Sequence, residues 1–126
     1  MFLLSNACAA PSREIRSGKI GATEQGMATY YAPRLAGHRT ANGDRYDPKL
    51  LTAAHPVLPF GTQVAVQRND VDLPAVVVRI NDRCTGGRKI IDLSEAAAKR
   101  LQMMRVGIVP VSLRVIERPK GSGERP

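Results

Sequence analysis

Near the end of the chain Val109, Val111, Leu113 and Val115 alternate with Pro110, Ser112 and Arg114. A period of two places every one of those apolar side chains on one face of a strand, which no helix does. The same logic recurs upstream. Gly61–Gln67 alternates, with Val64 and Val66 sharing a face, and Asn69-Asp70 marks a turn before the next run. Ala75-Val-Val-Val-Arg-Ile80 is continuous and β-branched, the pattern of a strand covered on both faces. Met27-Ala-Thr-Tyr-Tyr31 reads as a further strand. Short apolar stretches divided by Gly, Pro, Asn and Asp favour sheet over helix. Two β-rich halves meet near residue 70 without an internal repeat.

Helical signals are few. Asp92-Leu-Ser-Glu95 has the spacing of a capping box ahead of Ala96-Ala-Ala-Lys-Arg-Leu101, with Ser94 as an alternative cap. A second short helix is expected from Asp47-Pro48, since Pro suits a first helical position and Leu50, Leu51 and Ala54 can share a face. A mainly β chain with one or two short helices predicts a small barrel. Residues 9–25 are polar and unpatterned, and residues 118–126 are rich in Pro and Gly. The folded unit is therefore expected over 26–117, with 118–126 a flexible tail.

Residues 1–25 read as the remnant of a signal or lipoprotein leader followed by a flexible segment. Met1-Phe-Leu-Leu4 is short, but Ser5-Asn-Ala-Cys8-Ala-Ala-Pro11 looks like the downstream end of a secretory signal. Cys8 then marks a cleavage region or a lipidated first residue. Two cysteines allow one disulfide at most, Cys8 to Cys84. No apolar run reaches the roughly 18 residues that cross a bilayer as a helix.

The formal charge is +8, and hydrophobic residues make up 43% of the 126. That balance excludes a disordered chain and favours an anionic partner. The basic residues are scattered, there is no Trp, and there are only three Tyr and two Phe. Both features read against nucleic acid as that partner.

Three polar clusters interrupt the strands without a packing reason. Asn42-Gly43 is a turn signal that presents Asp44. Leu51-Thr-Ala-Ala-His55 precedes Pro56 and Leu58-Pro-Phe-Gly61. Asn81-Asp82-Arg83 ends the most apolar strand, and a carboxylate where a buried strand emerges is a favoured functional position. Each has a structural alternative: an ion pair of Asp82 with Arg83 or Arg79, a hydrogen-bonded structural role for His55, and a turn role for Asp44. Asp92 reads as a cap or a backbone-binding carboxylate. His38 and His55 are the only histidines and the cysteines lie far apart, so zinc spacing is missing. No phosphate loop or nucleophile elbow occurs, no metal or cofactor is expected, and the chemistry narrows to carboxylates.

Taken in order, Gly26-Met-Ala-Thr-Tyr-Tyr31, Thr40-Ala-Asn-Gly-Asp-Arg-Tyr46, Leu51-Thr-Ala-Ala-His55, Leu58-Pro-Phe-Gly-Thr62, Val78-Arg-Ile-Asn-Asp-Arg83 and Ile90-Ile-Asp-Leu-Ser94 closely resemble the rare lipoprotein A (RlpA) family of septal ring lytic transglycosylase-like proteins. The resemblance implies a six-stranded double-psi β-barrel. It also implies lytic cleavage of peptidoglycan glycan strands that lack stem peptides, with 1,6-anhydro-N-acetylmuramic acid as product. By the same resemblance Asp82, Asp44 and His55 are the catalytic candidates, and Tyr30, Tyr31, Asn81 and Arg83 are groove candidates. A monomer in the periplasm or cell envelope, anchored to the outer membrane through a lipid on Cys8, is the implied setting. The family usually has Glu at the position of Asp44 and Gly-Pro where this chain continues Cys84-Thr85. These departures favour the alternative, an expansin-like wall protein that binds glycan without cleaving it.

Overall fold

A computed structural model describes residues 10–119 of the chain. Six strands close into a barrel: β1 (Thr23–Tyr30), β2 (Thr52–Ala54), β3 (Gln63–Arg68), β4 (Val76–Asp82), β5 (Lys89–Leu93) and β6 (Val109–Glu117). They neighbour one another in the order β1-β5-β2-β4-β3-β6. β1 pairs with β5, and β2 with β4, in parallel; the other pairings are antiparallel. The expected mainly β barrel is therefore the fold.

Alternation decides what fills the barrel. Val109, Val111, Leu113 and Val115 of β6, Val64 and Val66 of β3, and Val78 and Ile80 of β4 are all essentially inaccessible, together with Ala28, Ala53, Ile91 and Leu93 from the remaining strands. The continuous run in β4 is not covered on both faces. Val77 points outward and is 39% exposed, because a closed barrel has only one interior and no second layer lies over that strand.

Tertiary context resolves the local helical signals. The second helix, α2 (Glu95–Arg100), is capped by Ser94, whose side chain accepts from Ala97 N. Asp92 stays extended in β5, in register with Thr29 on one side and Ala54 on the other. No helix forms from Asp47: its carboxylate accepts from Lys49 N and its carbonyl from Leu50 N, which closes a turn. Leu50 remains half exposed while Leu51 packs on the core and Ala54 is buried in β2, so the three do not share one helical face.

The first helix, α1 (Arg13–Ser17), lies in the stretch that shows no pattern in sequence. Ser12 caps its start, Gly18 ends it with φ 71°, and Ile15 inserts fully into the core. Five residues with one apolar anchor carry no periodicity to read. The packed unit thus reaches back before residue 26, since β1 itself begins at Thr23. Gly26 is required within that strand: a Cβ there would lie 2.6 Å from Ile90 Cγ2.

Candidate functional site

The site is assembled by register rather than by any single loop. Thr29, Asp92 and Ala54 are successive partners across β1, β5 and β2, and Ala54 is in turn the partner of Asp82 on β4. Residues in register share a face of the sheet, so these four form one outward row. An irregularity between Ala53 and Ala54 absorbs Asn81 and brings Asp82 opposite Ala54. Asn81 and Asp82 can therefore serve two different sides of the same strand end.

Asp82 is held by three donors. Tyr31 Oη donates to Oδ2, while the backbone N–H groups of Ala41 and Arg83 donate to Oδ1, each at 2.8 Å. Tyr31 stacks on Tyr46 with ring centroids 4.4 Å apart, and the pair forms one buried cluster with Ala54. Burial, followed by the Asp82 carboxylate, pushes the Tyr31 phenol far above its ordinary range, so it remains a donor. Tyr46 Oη accepts from Glu95 N at the start of α2, which ties the stack to that helix.

The loop over 40–46 fastens the second carboxylate. Asn42 N donates to Asn81 O, and Thr40 N to Asp44 O, so the turn sits on the end of β4. Asp44 Oδ2 accepts from Asn81 Nδ2 and Arg79 Nη2, both at 3.3 Å, and from Asn42 Nδ2 at 3.2 Å. The Asn81 and Asn42 hydrogen bonds, with help from Arg79, hold the Asp44 carboxyl below its usual range. Asp44, Arg79, Asn81, Arg45 and Thr52 line an open cleft of about 310 Å³ beside it.

The remaining expected site residues divide differently. His55 has no exposed surface, and its side chain hydrogen-bonds to Glu24 and the 57–58 backbone rather than to Asp82 or Asp44. Its Nδ1 accepts from Val57 N and Leu58 N, so the ring proton resides on Nε2, which donates to Glu24 Oε1 at 2.8 Å. The carboxylate it serves is Glu24, and its place is structural: it folds the 55–60 loop, while its own N–H donates to Asp82 O. Arg83 likewise turns away from Asp82. Its Nη1 donates to His55 O and Leu58 O, and its guanidinium lies 4.0 Å from the centre of the Phe60 ring. Among the described residues Asp82 forms no ion pair with Arg83 or Arg79, which removes that alternative; Arg79 pairs with Asp44. Tyr30 Oη donates to Met104 O and its ring packs on the core, apart from both carboxylates.

Cys84 is half-buried, its thiol donates to Ala54 O, and burial first of all pushes that thiol up to about 11. Cys8, and with it the pairing of Cys8 with Cys84, lies outside the described residues. Among the described residues no group of three His, Cys, Asp or Glu side chains could hold a metal ion.

Sequence reasoning missed two contributors. Tyr46 gives no local sign of its stacking role. Asp92 lies inside a plausible capping box, and that local pattern conceals a strand residue whose neighbours are set by register. Its Oδ1 accepts from Thr29 Oγ1 at 2.9 Å, Lys89 Nζ lies 3.9 Å from Oδ2, and burial raises its carboxyl above the ordinary range.

Comparison with known proteins agrees with this architecture. The chain is 48% identical over 94 residues to the probable endolytic peptidoglycan transglycosylase RlpA of Synechocystis sp., covering 73% of this chain and 29% of that protein. It is 42% identical over 98 residues to the endolytic peptidoglycan transglycosylase RlpA of Campylobacter jejuni, covering 77% and 35%. The corresponding protein of Vibrio cholerae is 42% identical over 108 residues, covering 84% and 40%. The chain thus spans well under half the length of these curated relatives. Among solved structures, the Streptomyces papain inhibitor superposes with a TM-score of 0.64 at 25% identity, over 79% of this chain and 98% of that one. Apo expansin from Clavibacter michiganensis gives 0.62 at 24%, over 79% and 53%. These neighbours identify the closed six-stranded architecture as a double-psi β-barrel. Residues 23–113 match the family described as lytic transglycolase, which takes in all six strands up to the middle of β6, and to that family the chain belongs.

Proposed function

We propose that the protein is an endolytic peptidoglycan lytic transglycosylase, cleaving between N-acetylmuramic acid and N-acetylglucosamine in glycan strands that lack stem peptides. The observation that carries the reading is Asp82: a partly exposed carboxylate at the end of β4, fixed by three donors, in a chain whose relatives are named for this activity. The reaction uses no water. An acid protonates the glycosidic oxygen as its bond to C1 breaks, and the muramyl C6 oxygen bonds to C1. The C6 hydroxyl proton then passes to a carboxylate. A single carboxyl suffices chemically for both transfers, unlike the two-carboxyl hydrolases, and Asp82 is the group on which the reaction depends.

Asp44 is ionised at working pH by its Asn81, Asn42 and Arg79 contacts, and its charge faces the cleft. It stabilises the positive charge that develops at C1. Tyr31, Arg83 and His55 act from behind: Tyr31 aims Asp82, while Arg83 and His55 fix the loop beside it. The +8 formal charge suits a polymer bearing lactyl carboxylates. This reading sets the protein in the cell envelope, acting as a monomer, with Cys8 as the site of a lipid anchor to the outer membrane.

The test incubates the purified protein with peptidoglycan strands stripped of stem peptides and identifies the soluble products by mass spectrometry. Products ending in 1,6-anhydro-N-acetylmuramic acid, lost in Asp82→Asn, are expected. Reducing ends would mean hydrolysis. Glycan binding without release would mean an expansin-like binding protein.

A further inference from the structure

The geometry points to Asp92 as a second catalytic carboxyl, the one that delivers the proton to the glycosidic oxygen. The inference rests on the glycan-cleaving reading and divides between two groups the transfers that one could perform. Asp82 and Asp92 are both in register with Ala54, one on either side of β2. Two strand spacings of about 4.8 Å each separate their backbones. Their side chains leave the same outward face of the sheet, near enough for the Asp82 charge to bear on Asp92. Ala54 carries only a methyl group between them and packs in one cluster with the Tyr31–Tyr46 stack.

The two carboxyls have opposite surroundings, which is how one site separates an acid from a base. Asp82 is engaged by three donors. Asp92 receives one hydrogen bond, from Thr29, and one cation, Lys89, at 3.9 Å; its side chain keeps a fifth of its surface. The charged and titratable groups that face it are Tyr31 beyond β1, Tyr46 of the 40–46 loop, Asp82 and Cys84 at the end of β4, and Lys89 on β5 itself. Burial outweighs the Thr29 hydrogen bond and Lys89, and with the Asp82 charge beside it raises the Asp92 carboxyl above its ordinary range.

In the proposed step the Asp92 carboxyl gives its proton to the leaving oxygen as the C1–O bond breaks. The muramyl C6 oxygen closes on C1 and its proton passes to Asp82. Asp82 then loses that proton to solvent, Asp92 takes one up, and no water is consumed overall.

The experiment compares wild type, Asp92→Asn and Asp82→Asn on two substrates: stem-peptide-free strands, and a nitrophenyl glycoside of a short oligosaccharide ending in N-acetylmuramic acid. Asn keeps the acceptor for Thr29 but has no proton to give, and nitrophenolate leaves without protonation. Asp92→Asn should lose on the order of a hundredfold or more on strands and far less on the nitrophenyl glycoside, the range expected of a general acid. Asp82→Asn should lose activity on both. Equal losses of Asp92→Asn on the two substrates, or a loss below about threefold on strands, would overturn the assignment while leaving the glycan-cleaving reading standing. No anhydro product from wild type would end both. Lys89→Met gives a check that leaves both carboxyls in place: removing the cation raises the Asp92 pKa, so the alkaline limb of the pH profile should move to higher pH. An unmoved limb would count against Asp92 as the acid.

Discussion

Tyr31→Phe removes one hydrogen bond and nothing else from the site. The ring retains its stack on Tyr46, 4.4 Å centroid to centroid, and its burial in one cluster with Ala54. What is lost is the hydroxyl that donates to Asp82 Oδ2. A hydrogen bond to a charged group is worth about 1.5–3 kcal/mol net. The low end applies here, because Asp82 keeps the Ala41 and Arg83 N–H donors and is partly exposed, so water takes the vacated lone pair. The expected cost is therefore about 1.5 kcal/mol, or a fall in Tm of roughly 6 °C for a domain of this size. Tyr31→Ala also loses the stack and opens a cavity, so it should cost about 3–5 kcal/mol. Turnover should fall roughly tenfold in the Phe variant, since a carboxylate freed at one oxygen spends less time in its productive orientation. Thermal melting by circular dichroism, urea titration and the anhydro-product assay measure these separately. A Phe variant melting within a degree of wild type with unchanged turnover would refute the view that Tyr31 positions Asp82. Equal destabilisation by Phe and Ala would refute the separation of hydrogen bond from stack.

Two further outcomes follow from the same geometry. The Asp44 carboxyl is depressed in the folded state, so its contribution to stability is present above the ordinary Asp value of 3.8 and disappears as pH falls through the folded value; wild type and Asp44→Asn should differ in Tm at pH 6, the difference should shrink as the pH is lowered through that folded value, and a constant difference between them would contradict this linkage. His55→Ala leaves two backbone N–H groups and Glu24 without their partner, which should cost about 3 kcal/mol or more, while activity per folded molecule, titrated against the melting curve, falls far less than in Asp82→Asn; a fully folded but inactive His55→Ala protein would instead make His55 a direct participant.

Much of the fold is legible in the order of the residues. Strand alternation in 61–67 and 109–115, the Asn42-Gly43 turn and the placement of Asp82 at a strand end all depend on residues close in sequence. The ordered motifs carry the barrel and the family. What fails to show is nonlocal. Asp92 and Ser94 offer two caps of similar local quality, and the choice falls to Ser94 because ladder pairing with β1 and β2 holds Asp92 extended. Ile15 is a lone apolar residue in a polar stretch, and only the core that receives it gives α1 a reason to form.

The site draws the same line more sharply. The linear order of residues fixes which side chains are available: Asp44, Asp82 and Asp92 as carboxylates, the tyrosines, and a small residue at Ala54. Their company is set by folding, which turns His55 onto Glu24, Arg83 onto the 55–60 loop, and Tyr31 onto Asp82. Strand periodicity is a property of neighbours one and two residues apart, which a sequence displays directly. The row from Thr29 through Asp92 and Ala54 to Asp82 joins residues from four strands, and it comes into being only when barrel closure fixes their registers.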